Sequence, residues 1–462
     1  MLDILKNKYF KFGFVTLIYI LFVIWLRNYW FLLGIPIIYD LYISKKVNWT
    51  FWKKREGKNS AFIEWLDALI FAVVAVTLIN IYLFQNYKIP SPSMESTMLV
   101  GDHLYVSKVA YGPRAPITPL SFPFAQNRIG NVESYLKWIQ LDYKRLDGFG
   151  EVQRNDIVVF NFPAGDTVAL ENTAASIYSI IRGEAMNRKM SDMNAGREVR
   201  DWEQYLSRAR EDIFNYAHIV TRPVDRRDNY IKRCVAIAGD SLEIIHGKVY
   251  VNGKPQPNFK GIQHEYLVRT NGRPLNPRAL KEFDLDENQL GIQYNPNYIL
   301  DLTKEKAENL KKQVTDIVSI QRRERNAYDF QIFPHDDDYR WNEDNFGPIY
   351  IPEEGQTIEI NPDNICFYDR IITAYEGNDL AVKDSTIYIN GEETETYTFQ
   401  MNYYWMMGDN RHSSSDSRYW GYVPADHIIG KPKFIWLSLD KDEKFLKKIR
   451  FNRLFKKVDA SE

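Results

Sequence analysis

Two cysteines in 462 residues, Cys234 and Cys366, exclude a disulfide-stapled scaffold and any metal site built from clustered thiolates. One bridge between them is open to a domain outside the cytoplasm, but two separate buried thiols are the expected state. An excess of one charge is lacking too. The 59 Lys+Arg balance 60 Asp+Glu to a formal net charge of −1, so no cationic field recruits nucleic acid, and no such partner is expected. His103, His246, His412 and His427 sit beside no partner carboxylate in a triad motif, which disfavours a conventional Ser-His centre. No His/Cys/Asp/Glu group has ligand spacing, and no metal or other cofactor is expected.

Aromatic side chains and apolar runs are plentiful instead. Tyr, Phe and Trp make up 15% of the chain, and they suit half-buried strands, sheet faces and membrane interfaces. Residues Ala61 to Phe84 are nearly all apolar, with Glu64 and Asp67 close to the start, and about 20 such residues span a bilayer core. Upstream, Phe12 to Leu26 and Tyr29 to Leu41 are shorter apolar stretches separated by Arg27-Asn28, and they form either one tilted span or a hairpin of two. Lys45, Lys46, Lys53, Lys54, Arg55 and Lys58 place the loop before Ala61 in the cytoplasm by the positive-inside rule. The last span then runs outward and carries everything after Gln85 across the membrane. Lys6, Lys8 and Lys11 favour the same side as that loop and hence the hairpin. A cleaved signal peptide fits less well, because no small-residue site ends the first apolar run. Residues 1–85 are therefore expected to be a membrane anchor of two or three spans.

After Lys88 the pattern turns to short apolar runs bounded by Gly, Pro, Asn and Asp, the mark of a strand-rich domain. Asn252-Gly253 and Asn390-Gly391 each follow a strand-like run and predict tight hairpins, whose two central residues need positive φ. Helical periodicity is confined to Glu203–Phe214 and to Thr303–Gln321, where Leu310, Val314, Ile317 and Gln321 fall along one side behind Thr303 as N-cap. The organisation read from this is a β-rich core at 86–253 and 385–440 with an insertion at about 166–228. An inserted second domain at 254–384 and a basic tail at 441–462 complete it.

The chemistry lies in four separated blocks. Ser93 stands in Pro90-Ser91-Pro92-Ser93-Met94, only a few residues beyond the last span, and that block runs on to Gly101-Asp102. Asn155-Asp156-Ile157-Val158-Val159-Phe160 follows, then Tyr230-Ile231-Lys232-Arg233 with Gly239-Asp240, then Gly408-Asp409-Asn410-Arg411 with Ser415-Asp416-Ser417-Arg418. A serine needs a base to become a nucleophile, and a lysine serves only where burial or neighbours lower its pKa. In this order, behind a membrane segment, the blocks resemble the type I signal peptidases of bacteria, which use a serine/lysine dyad.

That resemblance implies a mainly β fold of coiled antiparallel sheets with α+β insertions, preceded by N-terminal transmembrane helices. It implies Ser93 as nucleophile and Lys232 as general base, with Ser91 Oγ and the Ser93 N–H as oxyanion donors. Ser414 would hydrogen-bond the lysine, Asp416 and Arg418 would brace their loop, and Asp409 would support it. Ile89, Met94, Met98, Tyr230 and Ile231 would line shallow pockets for small side chains. The implied partners are preproteins bearing signal peptides, the lipid bilayer and the nearby secretion translocon. The implied location is the bacterial cytoplasmic membrane, multi-pass, with the catalytic domain outside. Pro92 stands where the family usually has glycine and Ser96 where proline is common, which could alter the shape of the oxyanion loop. A membrane-tethered scaffold with an inactive dyad and a specialised paralogue are the rival readings.

Overall fold

The computed structural model of the chain describes residues 7–53, 58–173, 175–257, 259–276, 283, 285, 297–441 and 443–458. Lys6, Lys54 and Arg55 of the charge argument lie outside them. Helix α1 (Lys8–Leu26) begins at Asn7, whose side chain accepts the Tyr9 N–H, and ends at Arg27 in a left-handed conformation. Residues Tyr29–Ser44 then return in short helical turns packed antiparallel to α1. Phe12 meets Tyr39 at 5.7 Å between ring centroids, and the Tyr19 hydroxyl donates to the Phe31 carbonyl at 2.6 Å. Helix α2 (Ala61–Tyr82), capped by Ser60, is apolar on all sides and has no buried residue, so a hydrophobic solvent is its complement. Both α1 and α2 are long and apolar enough to cross a membrane. Their C-terminal ends meet, with the Phe22 and Trp25 rings against Tyr82.

Helix α2 runs straight into the main sheet. Six of its eight strands are β1 (Phe84–Lys88), β2 (Asp102–Ser107), β3 (Ile157–Asn161), β4 (Asn229–Ala236), β11 (Tyr403–Met407) and β12 (Ile428–Ser438), in the order β1-β2-β12-β3-β4-β11, and two-residue strands at Val423–Pro424 and Lys456–Lys457 complete it. Every pairing is antiparallel. Strand β3 is buried along its whole length because its alternate residues enter two cores. Ile157 and Val159 join Ile89, Met94, Met98 and Leu104, while Val158 and Phe160 pack with Cys234, Met406 and Trp420. Register shifts in the β2–β12, β12–β3 and β4–β11 pairs curl the sheet. The curl carries the turn after β1 across to the middle of β4.

Between β4 and β11 the chain builds smaller sheets. Strands β5 (Ser241–Ile245), β6 (Lys248–Val251) and β10 (Phe346–Tyr350) form one, and β7 (Gln263–Thr270), β8 (Asn297–Thr303) and β9 (Ile317–Arg322) another. Both predicted hairpin turns have left-handed central residues, Asn252 and Gly253 at φ 52° and 71°, Asn390 and Gly391 at 53° and 83°. The helix expected over Thr303–Gln321 stops at Gln313. Thr303 caps α5 (Lys304–Gln313) as expected, but Ile317 to Gln321 belong to β9, where pairing with β7 overrides helical spacing. Helix α4 (Trp202–Tyr216) contains the expected 203–214 stretch. It pairs with α3 (Ile177–Asn194), whose buried stripe of Ile177, Ile181 and Ala185 is too thin to have signalled a helix. The basic tail folds back: Lys456–Lys457 pairs with β12, and buried Arg453 holds Asp102 at 2.5 Å. Cys234 and Cys366 are separate free thiols.

Candidate active site

Pro92 starts a short 3-10 turn, Pro92–Met94, that lifts Ser93 off the end of β1, and proline at the first helical position loses no needed hydrogen bond. The turn closes with the Glu95 N–H on the Pro92 carbonyl at 2.9 Å and the Met98 N–H on the Met94 carbonyl at 2.8 Å. Ser96 takes φ 73°, which a proline ring forbids, so this loop follows a path the common family residue could not. The register of β4 points Lys232 at the turn, and its Nζ hydrogen-bonds Ser93 Oγ. Ser91 Oγ lies 3.4 Å from the same oxygen. Ser93 and Lys232 are 8% and 4% exposed. Burial pushes the lysine down from 10.5 to about 8, although Asp416 and Asp409 pull the other way.

The run 408–418 packs behind this pair. The Asn410 N–H donates to the Ser93 carbonyl at 3.1 Å. A Cβ on Gly408 would lie 2.2 Å from Ser414 Oγ and 2.6 Å from the Ser93 carbonyl oxygen, so only glycine admits this approach. Asp416 and Arg418 form the expected brace at 2.8 Å, fully buried, and Asp416 also accepts the Gly408 N–H at 3.0 Å. Asp409 is occupied by Arg233, in a two-pronged contact at 2.8 Å on each arm, and by the Thr97 hydroxyl at 2.6 Å. Arg233 and Thr97 were not singled out from the sequence. Arginine directly after the lysine on a strand, with an aspartate in the last block, was the available signal.

Two expectations change. Ser414 is buried beside Gly408 and Ser93, but its Oγ has no hydrogen-bond partner among the described residues, so the expected bond to Lys232 is not made. Lys232 is turned onto Ser93 instead. Ile89, Met94 and Met98 form one cluster with half-buried Ile231, whereas strand alternation puts Tyr230 on the other face of β4, the face that carries Lys232, where it stacks on Phe162 at 4.5 Å. The histidine argument is also corrected. His246 and His412 meet carboxylates distant in the sequence, Glu324 and Asp344, and His427 meets that of its neighbour Asp426, but none of these pairs forms a triad with Ser93. Among the described residues the side chains that meet Ser93 Oγ are those of Lys232 and Ser91, neither of them a histidine.

A cleft of about 620 Å³ opens inside the curl. It is lined by Asn86 and Tyr87 of β1, Asn229 of β4, Ile429 of β12, Val76, Thr77, Asn80 and Ile81 near the end of α2, and much of the 114–126 segment. It reaches from the end of α2 to strands β1 and β4.

A sequence profile described as signal peptidase, peptidase S26, matches residues 62–294 and 310–437. The chain belongs to that family. Signal peptidase I of Haemophilus influenzae is 25% identical over 403 residues, covering 85% of this chain and 74% of its own. Signal peptidase I of Pseudomonas aeruginosa is 21% identical over 393 residues, 83% of this chain and 75% of its own. A shorter match, 30% identical over 115 residues, joins 23% of this chain to 40% of signal peptidase I of Helicobacter pylori. The chain is thus a peptidase of the signal-peptide-processing family, and its curled, mainly antiparallel β sheet behind apolar helices is consistent with that membership.

Proposed function

We propose that this protein removes N-terminal signal peptides from exported preproteins by a serine/lysine mechanism. The observation that carries the reading is the buried contact of Lys232 Nζ with Ser93 Oγ, in a setting that lowers the lysine's pKa to about 8 and so eases its loss of a proton. Neutral Lys232 takes the hydroxyl proton as Ser93 Oγ attacks the scissile carbonyl carbon. The Ser93 N–H and the Ser91 hydroxyl receive the developing oxyanion. The lysine ammonium then protonates the leaving amine, which departs as the new amino terminus of the mature protein. Lys232 finally deprotonates a water that hydrolyses the acyl-enzyme. Asp409, Asp416 and Arg418 hold the loop behind the dyad, in which Ser414 is buried beside Gly408.

Ile89, Met94, Met98 and Ile231 supply an apolar surface suited to the small side chains that end signal peptides. The cleft leading from α2 suits an extended segment emerging from the bilayer, with main-chain bonds to the strand edges. In this reading α1, the Tyr29–Ser44 return and α2 cross the bacterial cytoplasmic membrane in turn, leaving the basic 45–58 loop inside and the β domain outside. The Arg27–Asp147 ion pair at 2.6 Å, which ties the outer end of α1 to the β domain, supports that orientation. So do exposed Phe122, Phe124, Trp138 and Phe149 in the 117–149 excursion, apolar groups suited to the bilayer surface. The β strands of 86–253 and 385–440 would act as the catalytic core near the translocon, with 254–384 as an inserted domain.

The test is cleavage of a preprotein with an alanine-ended signal peptide by detergent-solubilised protein. Wild type is expected to cut after the small residue, and Ser93→Ala and Lys232→Ala to be inert. Folded wild type that cuts none of several such preproteins would return the reading to a tethered scaffold.

A further inference from the structure

The run 408–418 is tied to the rest of the molecule by more than its own brace. Gln263 at the start of β7 bridges it in parallel: its N–H donates to the Asp409 carbonyl, and the Arg411 N–H donates to its own carbonyl, each at 2.9 Å. The Arg411 carbonyl, which would continue that ladder, is taken by the Arg418 guanidinium. The next donor of β7, the Glu265 N–H, therefore turns to the ring of His412 and meets Nδ1 at 3.0 Å. An Nδ1 that accepts a hydrogen bond carries no proton, so the ring's N–H is on Nε2, which faces Asp344 Oδ2 at 3.0 Å. The His412 and Asp344 side chains are 0% and 1% exposed. Asp344 is anchored in turn by the Arg325 N–H at 2.7 Å and by Arg322 at 3.4 Å. Burial pushes its carboxyl upward, but the hydrogen bonds from His412 and the Arg325 N–H and the charges of His412 and Arg322 outweigh it and hold it at about 2, so it stays an anion at working pH.

We propose that His412 is a positioning residue for this peptidase. Its ring is wedged between the Glu265 amide and the Asp344 carboxylate, and it fixes the run that sets Asn410, Ser414 and Asp416 against Ser93 and Lys232. The proposal rests on the serine/lysine reading above. His264, Asp344 and His412 also form a trio whose donor atoms lie within 4.8 Å of one another, which invites a metal. The His412 tautomer denies it, because Nε2 carries a proton rather than a free lone pair, and Arg322 and Arg411 crowd His264 with positive charge. The group binds the inserted sheet to the catalytic loop through hydrogen bonds.

His412→Asn keeps an acceptor near the Nδ1 position and loses the Asp344 contact, whereas His412→Gln keeps a donor near the Nε2 position and loses Glu265. Both are expected to lower kcat per titrated active site by about tenfold to a hundredfold with KM changed less than about twofold. Both should move the acid limb of the kcat profile to higher pH, because a loosened loop admits water beside Lys232 and weakens the burial that depresses its pKa. A purely structural histidine would lower the melting temperature and leave kcat per active site and the limb in place. That result overturns the proposal. If neither variant folds, Asp344→Asn, which preserves shape and one acceptor, carries the same test: a several-fold fall in kcat with a shifted limb supports the role, and wild-type values overturn it. Ser93→Ala in the same assay separates the two readings. Activity surviving there overturns the dyad, whereas an inert Ser93→Ala beside wild-type kinetics in His412→Gln overturns only the positioning role.

Discussion

Lys232 is held at about 8 by burial against an ordinary 10.5, and the sign of that shift sets two outcomes. The proposed mechanism needs the neutral amine, so cleavage should climb as pH rises through about 8 and flatten above it. For stability, the unfolded chain binds the extra proton between about 8 and 10.5, so stability rises with pH across that window and the full penalty applies below it. The penalty is on the order of 3 kcal/mol, reduced by about 1 kcal/mol for the bond to Ser93. Lys232→Met is therefore expected to be inactive yet about 1–3 kcal/mol more stable than wild type at pH 7 in urea titration, with the difference shrinking toward pH 10.5. Equal or lower stability at pH 7 would show that the lysine is not penalised by burial. Ser91→Ala should cost ~10²–10³ in kcat with little change in KM, if its hydroxyl serves the oxyanion.

At the scale of elements, β4 and the 408–418 run are joined by Arg233 and Asp409, both 0% exposed, and burial gives such a pair its leverage. Arg233→Met leaves an uncompensated buried carboxylate and is expected to destabilise by about 3–5 kcal/mol, whereas Arg233→Met with Asp409→Leu should recover much of the loss. Thermal melts of the two variants check this, and equal melting temperatures would refute it. The same scale shows where sequence patterns carry and where they stop. Asn-Gly turns are local steric demands, and both were legible. The 303–321 stretch was not, because Leu310, Val314 and Ile317 fit a helical stripe on paper. The β-branched Ile317 and Val318 were captured instead by the edge of β7, a partner about fifty residues away in the chain.

For the whole molecule, the antiparallel packing of α1 on Tyr29–Ser44 and the meeting of the α1 and α2 ends put Arg27 and Tyr82 at one level and Lys45 at the other. In a background with Cys234 and Cys366 replaced, Asn28→Cys should react with an impermeant thiol reagent added outside intact cells, and Lys46→Cys only after lysis. The reverse pattern would invert the proposed topology. By itself the sequence determined the apolar spans, the strand-rich class, the tight turns and the identity of the dyad candidates, because apolar length, turn sterics and motif chemistry are local. Only the tertiary structure decided that Tyr230 faces away from Ile231's cluster, that Arg233 serves Asp409, and that Ser414 Oγ meets no hydrogen-bond partner among the described residues. It also decided that His412 meets Asp344 and Glu265. Those contacts join residues distant in the chain, and the curl and register that bring them together arise only when the whole sheet closes its cores.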